Sequence, residues 1–171
     1  MKIDTATYYL KAYDRYTEDF LTTFSKFDKR AFNLAPAEDK WSPGQLLEHM
    51  GKSERGTLRL LNGPVAHVEG RVADAKCAEL EDFIHTRERL RAPEGLYPTQ
   101  ATYAPAAVLD AFTDVRAEIR TAFEFAADIA AVVDAWHHPR YGAMTVCEWL
   151  YFTAVHGERH RRQYAGLAAE R

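Results

Sequence analysis

Four stretches of this chain repeat apolar residues at the 3.6-residue period of an α-helix, and the two-residue alternation of a half-buried strand is missing. Around residues 4–30, Ile3, Ala6, Leu10, Tyr13, Phe20, Leu21, Phe24 and Phe27 share one face, and Lys11, Asp14, Glu18 and Lys29 take the other. Leu46, Leu47, Met50, Leu58 and Leu61 form a second stripe. Val108, Leu109, Phe112, Val115, Ile119, Phe123 and Ala126 form a third, on a helix from near Pro105 to about Asp128. Val146, Trp149, Leu150, Thr153, Tyr164 and Leu167 form a fourth. Two capping boxes mark helix starts. Ser42-Pro43-Gly44-Gln45 supplies a capping serine, a proline at the first helical position and a glutamine three residues on. Thr145-Val146-Cys147-Glu148 repeats the pattern. Gly63-Pro64 stops the second helix after about Asn62, and residues 31–41 read as a loop ending at Trp41. The expectation is an all-α four-helix bundle forming a single domain over residues 1–171.

Residues 63–104 are less regular. A middle helix from about Ala73 to Arg91 is expected, with Cys77, Leu80 and Ile84 inward and Pro93 ending it, covering one side or end of the bundle. A chain of 171 residues, 47% hydrophobic and 27% charged, suits one domain with a substantial core. A net charge of −3 gives no footprint for nucleic acid. The run Arg159-His160-Arg161-Arg162 is too short to change that, and Arg159 and Arg162, pointing away from the apolar arc, read as solvated. Cys77 and Cys147 belong to no CxxC pair and read as reduced thiols, with Cys147 just ahead of the last helix proper. No apolar run approaches the ~20 residues that span a bilayer. Met1-Lys2-Ile3-Asp4 leads into charged sequence without a signal-peptide core, so a cytoplasmic protein is expected. Tyr8, Tyr9, Tyr13 and Tyr16 offer apolar surface beyond one core stripe, which points to a homodimer.

His156 and His160 fall in the middle of the fourth apolar arc. Positions i and i+4 lie on one helical face, about 5–6 Å apart at Cβ. Two imidazoles buried there without partners cost free energy, and a shared cation gives each ring a partner. His49, at the edge of the second stripe, can reach the pair from a neighbouring helix. Three imidazoles plus an open position is a pattern of catalytic divalent metal sites. All-imidazole ligation suits zinc, nickel, cobalt, copper or iron(II) without choosing among them.

Trp41-Ser-Pro-Gly-Gln-Leu-Leu-Glu-His49 resembles the W-S-x-x-Q-x-x-x-H start of the second helix in the DinB/YfiT-like metalloenzyme superfamily. His138-Pro-Arg-Tyr-Gly142, followed by Thr145-x-x-Glu148-Trp149 through His156-x-x-x-His160-x-x-Gln163, resembles that superfamily's last loop and helix. The likeness spans residues 41–55 and 137–164. It implies a four-helix bundle with a divalent metal, zinc or nickel foremost, held by His49, His156 and His160. It also implies thiol chemistry, since the family includes bacillithiol-dependent S-transferases and mycothiol-dependent maleylpyruvate isomerases. Segment 63–104 matches nothing in that pattern.

Glu54 lies near the centre of the second stripe, where a carboxylate is unusual. It is a candidate catalytic base or a support for a metal ligand, against a plain salt bridge with Arg116 at the bundle end. Gly157, on the inner arc, leaves room for a neighbouring helix or ligand. His138 reads as shaping the loop before the last helix, and His67, His85 and His137 as surface residues. Trp149 and Tyr164 read as core, and Gln163 as an edge residue within reach of the site. The expected function is a metal-dependent enzyme, a thiol S-transferase or hydrolase acting on a small molecule. The open position would take water or a thiol, and the resemblance implies a low-molecular-weight thiol as co-substrate. The alternatives are a non-catalytic metal-binding or stress-response module and a dimerising scaffold whose histidines are vestigial.

Overall fold

The first helix, α1 (Thr5–Phe24), begins at Asp4, whose carboxylate accepts a hydrogen bond from Thr7 N at 3.0 Å. The computed structural model describes residues 4–85 and 91–169, so Ile3 and part of the expected middle helix lie outside it. α1 ends earlier than the periodicity predicts. The chain turns, and Asp28 caps a one-turn helix, α2 (Lys29–Phe32), by accepting from Ala31 N. The break returns Phe27, Ala31 and Phe32 to the cluster that holds Phe24, Leu46 and Met50. Burying rings of this size stabilises the fold by roughly 1.5–3 kcal/mol each.

α3 (Pro43–Leu61) starts with the full capping box: Ser42 Oγ accepts from Gln45 N, and Gln45 Oε1 accepts from Ser42 N. α4 spans Cys77–His85 and turns Cys77, Leu80, Phe83 and Ile84 inward. It starts four residues later than expected because the preceding turn is used elsewhere. α5 (Pro105–Glu124) stops short of Asp128, whose carboxylate accepts instead from Ala130 N in a turn. α6 (Val146–Ala169) is the last helix. Its capping box is closed by Thr145 and Glu148, each accepting from the other's backbone N–H at 2.9–3.0 Å. Glu148 also accepts from Arg71 and from Lys76 N, and Thr145 Oγ1 donates to Ala73 O. Residues 71–76 are thus spent on anchoring the start of α6. Cys147 lies inside α6, fully buried, rather than ahead of it.

α1, α3, α5 and α6 form the four-helix bundle, with α1 against α6 and α3 against α5, and α4 covers a flank of α6. Val65–Ala66 (β1) and Val132–Val133 (β2) pair antiparallel, Val65 opposite Val133. A ribbon of two residues per strand is too short to leave an alternating pattern in the sequence. Two expectations about surfaces fail. Tyr9, Tyr13 and Tyr16 are buried in the core and only Tyr8 is exposed, so the four tyrosines do not make an apolar outer face. Arg159 is buried with its guanidinium 4.5 Å over the Phe83 ring, because α4 covers the flank that a bare α6 would leave in water. No helix among the described residues is long and apolar enough to cross a membrane.

Candidate metal centre

His156 and His160 stand one turn apart on α6, with their Nε2 atoms 3.1 Å apart. His49 reaches them from α3, its ring centroid 5.5 Å from each. One nitrogen from each of the three rings lies within 4.8 Å of the others. Nitrogens bound to one tetrahedral zinc at about 2.0–2.1 Å stand roughly 3.3–3.4 Å apart. The spacing of the α6 pair is close to that value, and the His49 nitrogen lies within 4.8 Å of both, so the three rings could hold one ion after side-chain adjustment. Among the described residues no other His, Cys, Asp or Glu joins the group.

The hydrogen bonds orient two of the rings. His49 Nδ1 lies 3.1 Å from Leu96 O, which can only accept, so Nδ1 carries the proton and Nε2 keeps its lone pair. His160 Nδ1 lies 2.9 Å from Gln163 Oε1, which fixes the same tautomer once the amide is assigned with its oxygen toward the ring. An imidazole whose far N–H is bonded to a carbonyl is the usual arrangement of a metal-binding histidine. Burial lowers the proton affinity of all three rings, with the other cations adding to it. His160 falls to about 3, and His156 lies well below the usual imidazole range. The rings are therefore neutral and able to ligate across the physiological range.

Segment 63–104, which matches nothing in the resembled pattern, builds much of the surroundings. Leu96, in a 3₁₀ turn (Glu94–Leu96), supplies the carbonyl to His49. Tyr97 packs edge-on against Trp41, whose ring lies 4.9 Å from His49. On the other side, Phe152 stacks on His156 at 5.5 Å and Phe83 of α4 lies 6.1 Å from it. Aromatic rings thus flank the histidines on two sides. The Leu96 contact has no side-chain signature, since any residue offers a carbonyl.

Glu54 and Arg116 face each other in the core, not at the bundle end. Glu54 accepts from Arg116 Nε at 2.7 Å and from Nη2 at 2.6 Å, and each side chain is 1% exposed. Arg116 also donates to Thr17 Oγ1 and to Thr153 O. Its guanidinium lies 5.0 Å from the ring centres of Tyr13 and Phe112. Burial pushes the Glu54 carboxyl up, to about 7, against the opposing pull of Arg116. Gly157 makes room for this pair: a Cβ there would stand 2.6 Å from Arg116 Nη2.

The remaining residues fall into place around this frame. His138 Nδ1 accepts from Arg140 N and Tyr141 N and shapes the loop before α6, and Gly142 closes that loop with φ +64°. His67, His85 and His137 are exposed. Trp149 and Tyr164 are buried, and the Tyr164 hydroxyl donates to Trp41 O.

The sequence model of one family, described as the DinB superfamily, matches residues 12–164, and the chain belongs to that superfamily. No curated protein and no solved structure gave a match.

Proposed function

We propose that this protein is a metal-dependent enzyme in which His49, His156 and His160 hold one divalent ion, and that it acts on a small molecule by thiol S-transfer or hydrolysis. The observation that carries the reading is the convergence of three neutral imidazoles from two helices, with two tautomers set by partners on the far nitrogens. Three protein ligands leave a coordination position for an exogenous group. A divalent ion there supplies Lewis acidity, lowering the pKa of a water or thiol that occupies the open position. Zinc and nickel are the leading candidates for three imidazoles, with iron, cobalt and copper compatible.

The protein's own part in this chemistry is positional. Leu96 O and Gln163 hold the His49 and His160 rings in register. Trp41, Tyr97, Phe83 and Phe152 lower the polarity beside them, which strengthens electrostatic interactions with a bound substrate. Glu54 is read as a brace rather than a base, because both of its oxygens already accept from Arg116.

The test combines metal analysis with turnover. Tag-free protein is loaded with zinc or nickel and offered low-molecular-weight thiols, bacillithiol and mycothiol among them, with an electrophilic acceptor. Activated esters are offered in parallel. Metal-dependent thioether formation or ester hydrolysis, abolished in His160→Ala, supports the enzyme. Stoichiometric metal without turnover of either class favours a binding module instead.

A further inference from the structure

The segment from Glu94 to Tyr103 is tied to α3 along its length by three neighbouring residues of that helix. His49 donates from Nδ1 to Leu96 O. Lys52, one turn on, donates to Tyr97 O at 2.6 Å and pairs with Glu48 at 2.7 Å. Glu48 accepts from Thr99 N at 2.9 Å, from Thr99 Oγ1 at 2.7 Å, from Gln100 N at 3.3 Å and from the Tyr103 hydroxyl. The far end is locked separately. Asn33 donates to Tyr103 O and accepts from Tyr103 N, and the Tyr103 ring lies on Gly44, where a Cβ would stand 2.5 Å from it.

We infer that Glu48 and Lys52 are positioning residues for the metal site, acting by holding the 94–103 strap so that the Leu96 carbonyl fixes the His49 ring. The inference rests on the three-histidine metal reading. One hydrogen bond joins the strap to a ligand, and those of Glu48 and Lys52 join it to side chains within one turn of that ligand. A metal drawing electron density from Nε2 makes Nδ1–H a stronger donor, which tightens the bond to Leu96 O. Coupling of this kind is reciprocal: if metal binding orders the strap, a loosened strap weakens metal binding by the same factor.

The test uses the full chain, zinc as probe, and two variants, Glu48→Ala and Lys52→Met, alongside Asp110→Ala on an exposed face of α5. Zinc affinity is measured by competition with a chromophoric chelator, and amide hydrogen exchange is followed over residues 94–103 with and without zinc. In wild type and in Asp110→Ala, zinc should slow exchange in the strap. Glu48→Ala and Lys52→Met should each exchange faster there and bind zinc about 10-fold more weakly, up to 100-fold for Glu48→Ala. Lys52→Met keeps the Glu48 contacts to Thr99 and Tyr103, so it reads the coupling even if Glu48→Ala folds poorly. Wild-type protein that binds zinc with unchanged strap exchange, or a Lys52→Met variant with wild-type affinity, overturns the inference alone. Wild-type protein that takes up no zinc overturns the metal reading and the inference with it.

Discussion

The Nε2 atoms of His156 and His160 face each other at 3.1 Å across one turn of α6. At most one of them carries a proton, because His160 has its proton on Nδ1 toward Gln163. One divalent ion would satisfy both nitrogens together with His49 under the proposed reading. Metal loading should therefore raise the melting temperature, since an ion that binds only the folded chain stabilises it by mass action. A chelator should reverse the gain in wild type. His160→Ala should lose most of the bound metal and the chelator response, as read by elemental analysis and calorimetry. Equal metal content in wild type and variant rules the site out.

Gln163 touches the histidine cluster through His160 Nδ1, so it would act on a bound ion through that ring. Replacing it with Leu should leave the metal stoichiometry at wild-type level while weakening affinity by about 10–100-fold. Apo-protein stability should move by less than about 0.5 kcal/mol, as expected for an exposed position. An unchanged dissociation constant in a chelator competition refutes the role.

Gly157→Ala should destabilise the protein although alanine is the better helix former by about 1 kcal/mol. The added Cβ meets Arg116 Nη2 at 2.6 Å and displaces a guanidinium that is fully enclosed. A net loss of about 1–3 kcal/mol is expected in urea titration. A stabilised variant shows that Arg116 can shift freely.

Breaking the Glu54–Arg116 pair from one side leaves a charge stranded in the core. Glu54→Ala should cost about 3–5 kcal/mol. Glu54→Leu combined with Arg116→Met should cost far less than the sum of the two single changes, because no unpaired charge remains. Additive losses in the double-mutant cycle contradict a coupled pair.

His138 gives the fold a pH dependence. Burial lowers its pKa to about 4, with Arg140 adding to the shift, and Nδ1 must stay unprotonated to accept from two backbone N–H groups. In the unfolded chain the ring takes up a proton near pH 6.5. Between those values the unfolded state binds more protons, so stability is full above about pH 6.5 and falls as the pH drops toward 4. His138→Asn offers an acceptor without a titration and should flatten that part of the curve. The metal-free triad contributes in the same direction. Parallel curves for wild type and His138→Asn exclude the assignment.

The sequence alone determined the bundle and its histidines. Helical periodicity and capping are local: Ser42 with Gln45, and Thr145 with Glu148, fix the starts of α3 and α6 from four residues each. The same 3.6-residue geometry aimed His156 and His160 to one side, and the motif at Trp41–His49 named the third ring. Tertiary structure decided what depends on neighbours distant in the chain. It enclosed the Glu54–Arg116 pair, foreseen at the bundle end, within the core, and put Arg159 under α4 instead of in water. It brought Leu96 O to His49 and the 94–103 strap onto α3, contacts made largely by backbone atoms that every residue shares. Such contacts carry little sequence signature because backbone atoms are common to all residues, and their formation depends on helices assembling into one bundle.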